Sequence, residues 1–306
     1  MLRSLWVLVL AASTLASTMS GQIVGVGTFI HVVKDLDQTM RFYGTGLGLE
    51  TRNPGAAPGF SANALVESLY DAKGSQSRVA VFKVPGSPLG LEFVQFKDVL
   101  QKVVRREVKG PGASVLVLSV PDMQATMARL KENGATVISS TTVADPDGFF
   151  VELKQSNEAG AMLLLTVDKL DTTLHLFHDL LGFQPATPPA LVVNQASALD
   201  VVAAAAEGRL KRSVAKVPGA DFEVEFREFG GGVRPAPAAI HDPGSGVLRL
   251  MTTDVDGLLE KLKAVGVPVA SAGGEAASLN GRHFVILRDP DNFFFQLVPG
   301  PAALAK

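Results

Sequence analysis

Apolar positions recur along this chain at two periods. Leu36, Met40, Tyr43 and Leu47 are spaced 0, 4, 7 and 11, one face of an amphipathic helix, and Leu170, Leu174, Phe177 and Leu181 repeat that spacing. So do Met123, Met127, Leu130 and Gly134, and again Val255, Leu259, Leu262 and Gly266. The two glycines stand where a helix would need a C-cap in the left-handed region. Asp35, Asp122 and Asp254 open three of the helices as side-chain N-caps; Lys169 holds that place in the remaining one, which therefore needs a different cap. A β-branched run precedes each helix, at 29–33, 115–120, 163–167 and 247–252, and strand-like runs follow each.

The predicted unit is a strand, a helix and about three strands, used four times. Sequence echoes support duplication. Asp145-Pro-Asp-Gly-Phe-Phe-Val-Glu-Leu153 returns as Asp289-Pro-Asp-Asn-Phe-Phe-Phe-Gln-Leu297, and Lys83-Val-Pro-Gly86 returns as Lys216-Val-Pro-Gly219. The first pair reads as hairpin turns, since Gly and Asn tolerate positive φ. The expected organisation is an export signal at 1–21, one two-module domain at 22–157, a second at 158–302 and a tail at 303–306. The segments 53–77 and 184–209 are expected to be loops that cover or shape clefts.

Composition narrows the function. Hydrophobic residues make up 47% and charged residues 19% of 306, enough for a substantial core. A net charge of -2 without a basic stripe gives nucleic-acid binding no electrostatic support. Cysteine is absent, which removes disulfides, thiolate catalysis and thiolate-held zinc. Arg3, the apolar run 5–12 and the small residues after it resemble a cleavable export signal too short for a membrane span. The expected protein is therefore periplasmic or secreted, with no membrane attachment after cleavage. A homodimer is compatible with the sequence.

Val33-Lys-Asp-Leu36 with Phe42-Tyr43 and Leu47-Gly48, and Asp145–Gly148 with Glu152-Leu153, resemble the vicinal oxygen chelate superfamily. That superfamily includes glyoxalase I, extradiol dioxygenases and the fosfomycin and bleomycin resistance proteins. The resemblance implies an α+β fold of four βαβββ modules paired into two half-barrel domains. It also implies a divalent metal in the cleft, held by residues from the first and last strands of two paired modules. The first-strand positions, where a His is common, are Thr28 and Val115 in the first half and Met162 and Val247 in the second. The last-strand positions are Glu92 and Glu152, then Glu225 and Gln296. No His occupies any of them. Two carboxylates without an imidazole are a poor site for zinc, nickel or iron.

The expectation is thus a small-molecule-binding protein of glyoxalase or bleomycin-resistance type, with no cofactor. Any catalysis would fall to Glu152 and Glu92. The substrate-contacting positions would be Thr28, Val115, Phe150, Met162, Glu225, Val247, His283 and Gln296. Two alternatives stand beside it: a lyase or dioxygenase with one divalent metal ion, and a scaffold with vestigial clefts. Among the histidines, His31 is read as facing away from the cleft, between sheet and helix. His175 and His178 point away from their helix's apolar face, and His241 lies in a loop. His283 falls on the face of Gln296 if residues 285 and 296 are opposite, forming a polar cluster with Glu225; solvent exposure is the alternative.

Overall fold

The structure is a computed structural model that describes residues 21–52, 58–187, 189–192, 210–230 and 236–301. Apart from Gly21, the segment 1–21 expected to be an export signal lies outside the described residues, as does the expected tail. Among the described residues no helix is long and apolar enough to cross a membrane.

The four modules appear in order. The first holds β1 (Ile23–Val32), α1 (Leu36–Met40), α2 (Ala64–Leu69), β2 (Gln76–Lys83) and β3 (Gly90–Lys97). The second holds β4 (Ser114–Val120), α3 (Met123–Glu132), β5 (Thr136–Val137), β6 (Thr142–Ala144) and β7 (Phe150–Gln155). The third holds β8 (Ala161–Val167), α4 (Leu170–Leu174), β9 (Gln184–Pro185), β10 (Ala190–Val192), β11 (Leu210–Lys216) and β12 (Glu223–Glu228). The fourth holds β13 (Gly246–Thr252), α5 (Val255–Ala264), β14 (Ala277–Leu279), β15 (Arg282–Arg288) and β16 (Phe294–Pro299).

Local chemistry explains the helices. Asp35, Asp122 and Asp254 each accept from backbone N–H groups of the first turn. Where Lys169 offers no such bond, the Glu228 carboxylate reaches across from β12 to accept from Leu170 N at 2.8 Å. Gly134 and Gly266 end α3 and α5 with φ of 91° and 83°. α1 and α4 continue as π-turns at Arg41–Gly46 and His175–Leu180. The wider turn rotates the face, so Phe42 and Tyr43 are buried side by side, as are Leu176 and Phe177.

The modules do not pair in chain order. One sheet runs β14-β15-β16-β13-β1-β3-β2 and joins the first module to the fourth. The other runs β10-β11-β12-β8-β4-β7-β6-β5, with β9 on β11, and joins the second to the third. The line between residues 157 and 158 divides the repeats of the sequence, yet β4 and β8 on either side of it are antiparallel neighbours. The two sheets share one apolar core on their helix-bearing faces, which holds Leu248, Leu250 and Leu297 of the first and Leu116, Val151 and Phe226 of the second. Here the π-turn that continues α1 meets α3: a Cβ on Gly46 would stand 3.0 Å from the Leu130 side chain, so a glycine lets the two close up.

The repeated turns clamp one sheet to the other. Asp145 Oδ1 accepts from Asp147 N and Phe149 N at 2.9 Å, and its Oδ2 accepts from the Tyr43 hydroxyl at 3.1 Å. Asp147 Oδ1 then accepts from Lys34 N at 2.9 Å, at the strand–helix junction of the first module. In the copy, Asp289 holds Asp291 N and Phe293 N at 2.8 Å, and Asp291 accepts from Asp168 N at 3.2 Å. Gly148 and Asn292 sit at φ of 90° and 65°, as the turn requires. His31 is fully buried behind this clamp, with Nδ1 3.5 Å from Asp145 Oδ2 and its ring 4.9 Å from that of Phe149. It lies on the helix side of β1, away from the cleft.

Candidate functional site

Strand alternation gives each sheet a second face, turned away from the shared core. On the first sheet this face carries Thr28, Ile30, Glu92, Val94, Val247, Arg249, Phe294 and Gln296. The strand register explains the convergence: Ile30 pairs with both Glu92 and Val247, and Arg249 pairs with Gln296. Arg249 is the hub. Its Nη1 and Nη2 donate to the two Glu92 oxygens at 2.7 and 3.1 Å, and its Nε donates to Gln296 Oε1 at 2.7 Å. Thr28 Oγ1 donates to Glu92 Oε2 at 3.3 Å. Burial opposes the guanidinium charge, but Glu92 outweighs it and holds the Arg249 pKa above its usual value. Residues from α2 and the turn after it cover this face, as Leu65, Val66, Leu69, Tyr70 and Ala72 pack on Ile30, Val94, Val247 and Phe294.

On the second sheet the corresponding face carries Val115, Val117, Phe150, Glu152, Met162, Leu164, Glu225 and Arg227. Val115 and Leu164 are buried there against Val117, Phe150 and Met162. A groove of about 420 Å³ opens beside them, with Val117, Met162 and Leu164 on the central strands β4 and β8, Glu152 on β7 to one flank, and Glu225, Arg227 and Arg212 on β12 and β11 to the other. Arg227 Nε donates to Glu225 Oε1 at 2.7 Å, and Arg212 Nη1 stands 3.9 Å from the same oxygen. Glu152 and Glu225 are 7% and 5% exposed, so both carboxylates belong to the groove floor rather than its rim.

Pairing of modules regroups the predicted residues. Glu92 and Glu152 lie on different sheets, so they do not form one catalytic pair. Glu152 shares its cleft with Glu225, Val115, Phe150 and Met162, whereas Glu92 shares one with Thr28, Val247 and Gln296. The cluster of His283, Gln296 and Glu225 does not exist. Ile286, not Val285, stands opposite Gln296, because the turn 289–293 has five residues rather than four and slips the register by one. His283 therefore faces the helix side and pairs with Asp256 at 2.6 Å on the surface. His175 and His178 are exposed and both contact Asp179, and His241 Nδ1 donates to Tyr70 O at 2.9 Å.

Arg249, Arg227, Arg212 and Tyr70 escaped the sequence reading. The signal for two of them was present. Arg249 interrupts the apolar run Val247–Met251, and Arg227 follows Glu225 by two residues on a strand, which puts both on one face.

The donor set does not fit the divalent ion that the resemblance implies. In the first cleft a guanidinium already engages both Glu92 oxygens and the Gln296 carbonyl. In the second, two of the four positions are Val115 and Met162, and an arginine holds Glu225. Among the described residues no three His, Cys, Asp or Glu side chains gather as a metal site would require.

A model of the Glyoxalase/Bleomycin resistance protein/Dioxygenase superfamily matches residues 29–151, the span of the first two modules. Glyoxalase I from Zea mays superposes with a TM-score of 0.56 at 15% identity, covering 94% of this chain and 95% of that one. A putative dioxygenase from Bacillus subtilis superposes with a TM-score of 0.54 at 14% identity, covering 93% and 87%. At such identities the likeness is one of fold. Among curated proteins no sequence matches significantly. The chain thus carries a Glyoxalase/Bleomycin resistance protein/Dioxygenase superfamily domain over residues 29–151, and its two remaining modules continue the same fold.

Proposed function

We propose that this protein is exported and binds a small molecule, without a metal ion, in the groove of the second sheet. The observation that carries this reading is the groove itself. Its volume of about 420 Å³ lies within the range of small-ligand pockets, roughly 300–1,000 Å³. An apolar strip of Val117, Met162 and Leu164 runs between Glu152 on one flank and Glu225, Arg227 and Arg212 on the other. A ligand with an apolar body and a polar head that both donates and accepts hydrogen bonds satisfies the strip and its flanks. Where a metal would otherwise organise the head group, the Glu225–Arg227 pair offers fixed charges of opposite sign. Any acid–base step would fall to Glu152, which sits on the flank opposite that pair. Export rests on the signal-like residues 1–21 alone.

The test is a thermal-shift series with aromatic and α-hydroxy carboxylic acids and the matching alcohols, run on the wild type and on Met162→Arg. Binding at 100 times Kd stabilises by about 2.7 kcal/mol. At least one compound should raise the wild-type Tm by several degrees and leave the blocked variant unmoved. Equal responses of the two proteins across the series would overturn the assignment and favour a scaffold with vestigial clefts.

A further inference from the structure

A helix and its following turn, residues 63–72, lie in the first cleft. α2 is only six residues long, capped by local bonds, packed by its apolar face on the sheet, and tied at its end by His241 Nδ1, which donates to Tyr70 O at 2.9 Å. Asn63 accepts from Leu65 N and Val66 N, and Glu67 Oε2 accepts from Gly74 N at 2.7 Å. Asp71 and Gly74 both take positive φ, 46° and 78°, so the chain reverses sharply on leaving the helix. Between these points Tyr70 turns inward. Its side chain is 3% exposed and packs 5.1 Å from the ring of Phe96. Its hydroxyl is buried and has no hydrogen-bond partner among the described residues.

That hydroxyl is anomalous. A buried polar group without a partner costs about 1–3 kcal/mol. The Tyr70 pKa lies well above the usual tyrosine value, first because of burial, then because of the Glu92 charge, while Arg249 partly opposes the rise. The phenol therefore sits within the field of the Glu92–Arg249 pair without a hydrogen bond to either. A simple core position would hold Phe. Here an aromatic ring with a polar tip occupies a cleft whose floor is a charged pair, the arrangement a ligand would adopt.

We propose that residues 63–72 form a strap that opens, that Tyr70 is its internal ligand, and that the first cleft beneath it is a second binding site for a monocyclic phenol. Closure buries Leu65, Val66, Leu69 and Tyr70 in the cleft, and the unmet hydroxyl limits how firmly it holds. A free phenol can enter when the strap leaves and turn its hydroxyl to meet Glu92, which Tyr70, tethered at both ends, does not reach. This proposal is independent of the second groove.

Hydrogen exchange on the full mature chain tests it, with p-cresol, the free form of the tyrosine side chain, as probe. Amides of 64–72 should exchange faster than those of β3, and p-cresol should accelerate them further, about 11-fold at ten times its Kd for the open form. The acceleration should persist in Met162→Arg, which separates it from any binding in the second groove. Tyr70→Phe should protect the strap as well as the wild type does, or better. Exchange in 64–72 that p-cresol leaves unchanged or slows would overturn the proposal. So would a loss of strap protection in Tyr70→Phe, because the hydroxyl would then have a stabilising partner.

Discussion

Replacing Arg249 by Met tests whether a guanidinium organises the first cleft. The pair with Glu92 is bidentate at 2.7 and 3.1 Å, with side-chain exposures of 25% and 14%. Unit charges about 4 Å apart in an effective dielectric of about 20 attract by about 4 kcal/mol. Desolvation offsets much of that, so the intact pair adds little net stability over apolar residues of similar size. Breaking it is different, because the remaining charge stays half-buried with too few partners. Arg249→Met should cost about 3 kcal/mol, and so should Glu92→Gln, whose amide would face the guanidinium with one donor group. The double variant should cost no more than about 3 kcal/mol, leaving a coupling energy of at least ~3 kcal/mol. Each single change then lowers Tm by about 6–12 °C. Urea unfolding followed by far-ultraviolet ellipticity measures this, since the one tryptophan, Trp6, lies among the signal-like residues 1–21. Additive costs within about 0.5 kcal/mol would refute the account of Arg249 as the hub.

Burial, and then the neighbouring Asp291, push the Asp289 pKa up from 3.8 to about 7. The folded state therefore binds a proton that the unfolded chain has released, and stability falls as pH rises from about 4 to 7. At about 1.4 kcal/mol per pH unit the loss is at most ~4 kcal/mol, and Asp289→Asn, which keeps the carbonyl acceptor, should flatten the stability profile measured across that window. Asp147→Ala should cost about 1 kcal/mol by freeing Lys34 N, while Asp147→Asn should stay within about 0.5 kcal/mol of wild type; chemical denaturation decides between equal and unequal effects. His283→Ala should change stability by less than about 0.5 kcal/mol, because its ion pair with Asp256 is largely exposed. It should also leave ligand-induced shifts untouched, and loss of those shifts would return His283 to a binding role.

Local features of the fold were legible because local chemistry writes them. Aspartate caps and C-terminal glycines stand where the residues placed them, and both Asp-Pro-Asp segments form turns, the second one residue longer than expected. Module pairing was not legible, because every module carries the same apolar strands and nothing local in β4 distinguishes β8 from any other neighbour. The metal-ligand positions could be named one by one, yet their grouping depended on that pairing, so Glu152 was set beside Glu92 instead of Glu225. The register of β15 against β16 failed for a smaller reason, one extra residue in the turn, and that sufficed to move His283 to the opposite face. The π-turns in α1 and α4 were hidden too, since Phe42 and Tyr43 both satisfy an apolar helix face at either pitch. Arg249 carried a visible signal, a charge inside an apolar strand, but its meaning appeared only when Gln296 and Glu92 came to stand on either side of it.

The central claim is that acid–guanidinium pairs occupy the cleft floors in place of a metal centre. Metal analysis of the protein as purified, combined with melting in the presence of excess nickel, zinc, manganese or iron, tests it most directly. The account predicts no stoichiometric ion and Tm shifts below about 1 °C, since a site without affinity gains nothing by mass action. One bound ion per chain, or a several-degree stabilisation by a single metal that Glu152→Gln abolishes, would contradict it.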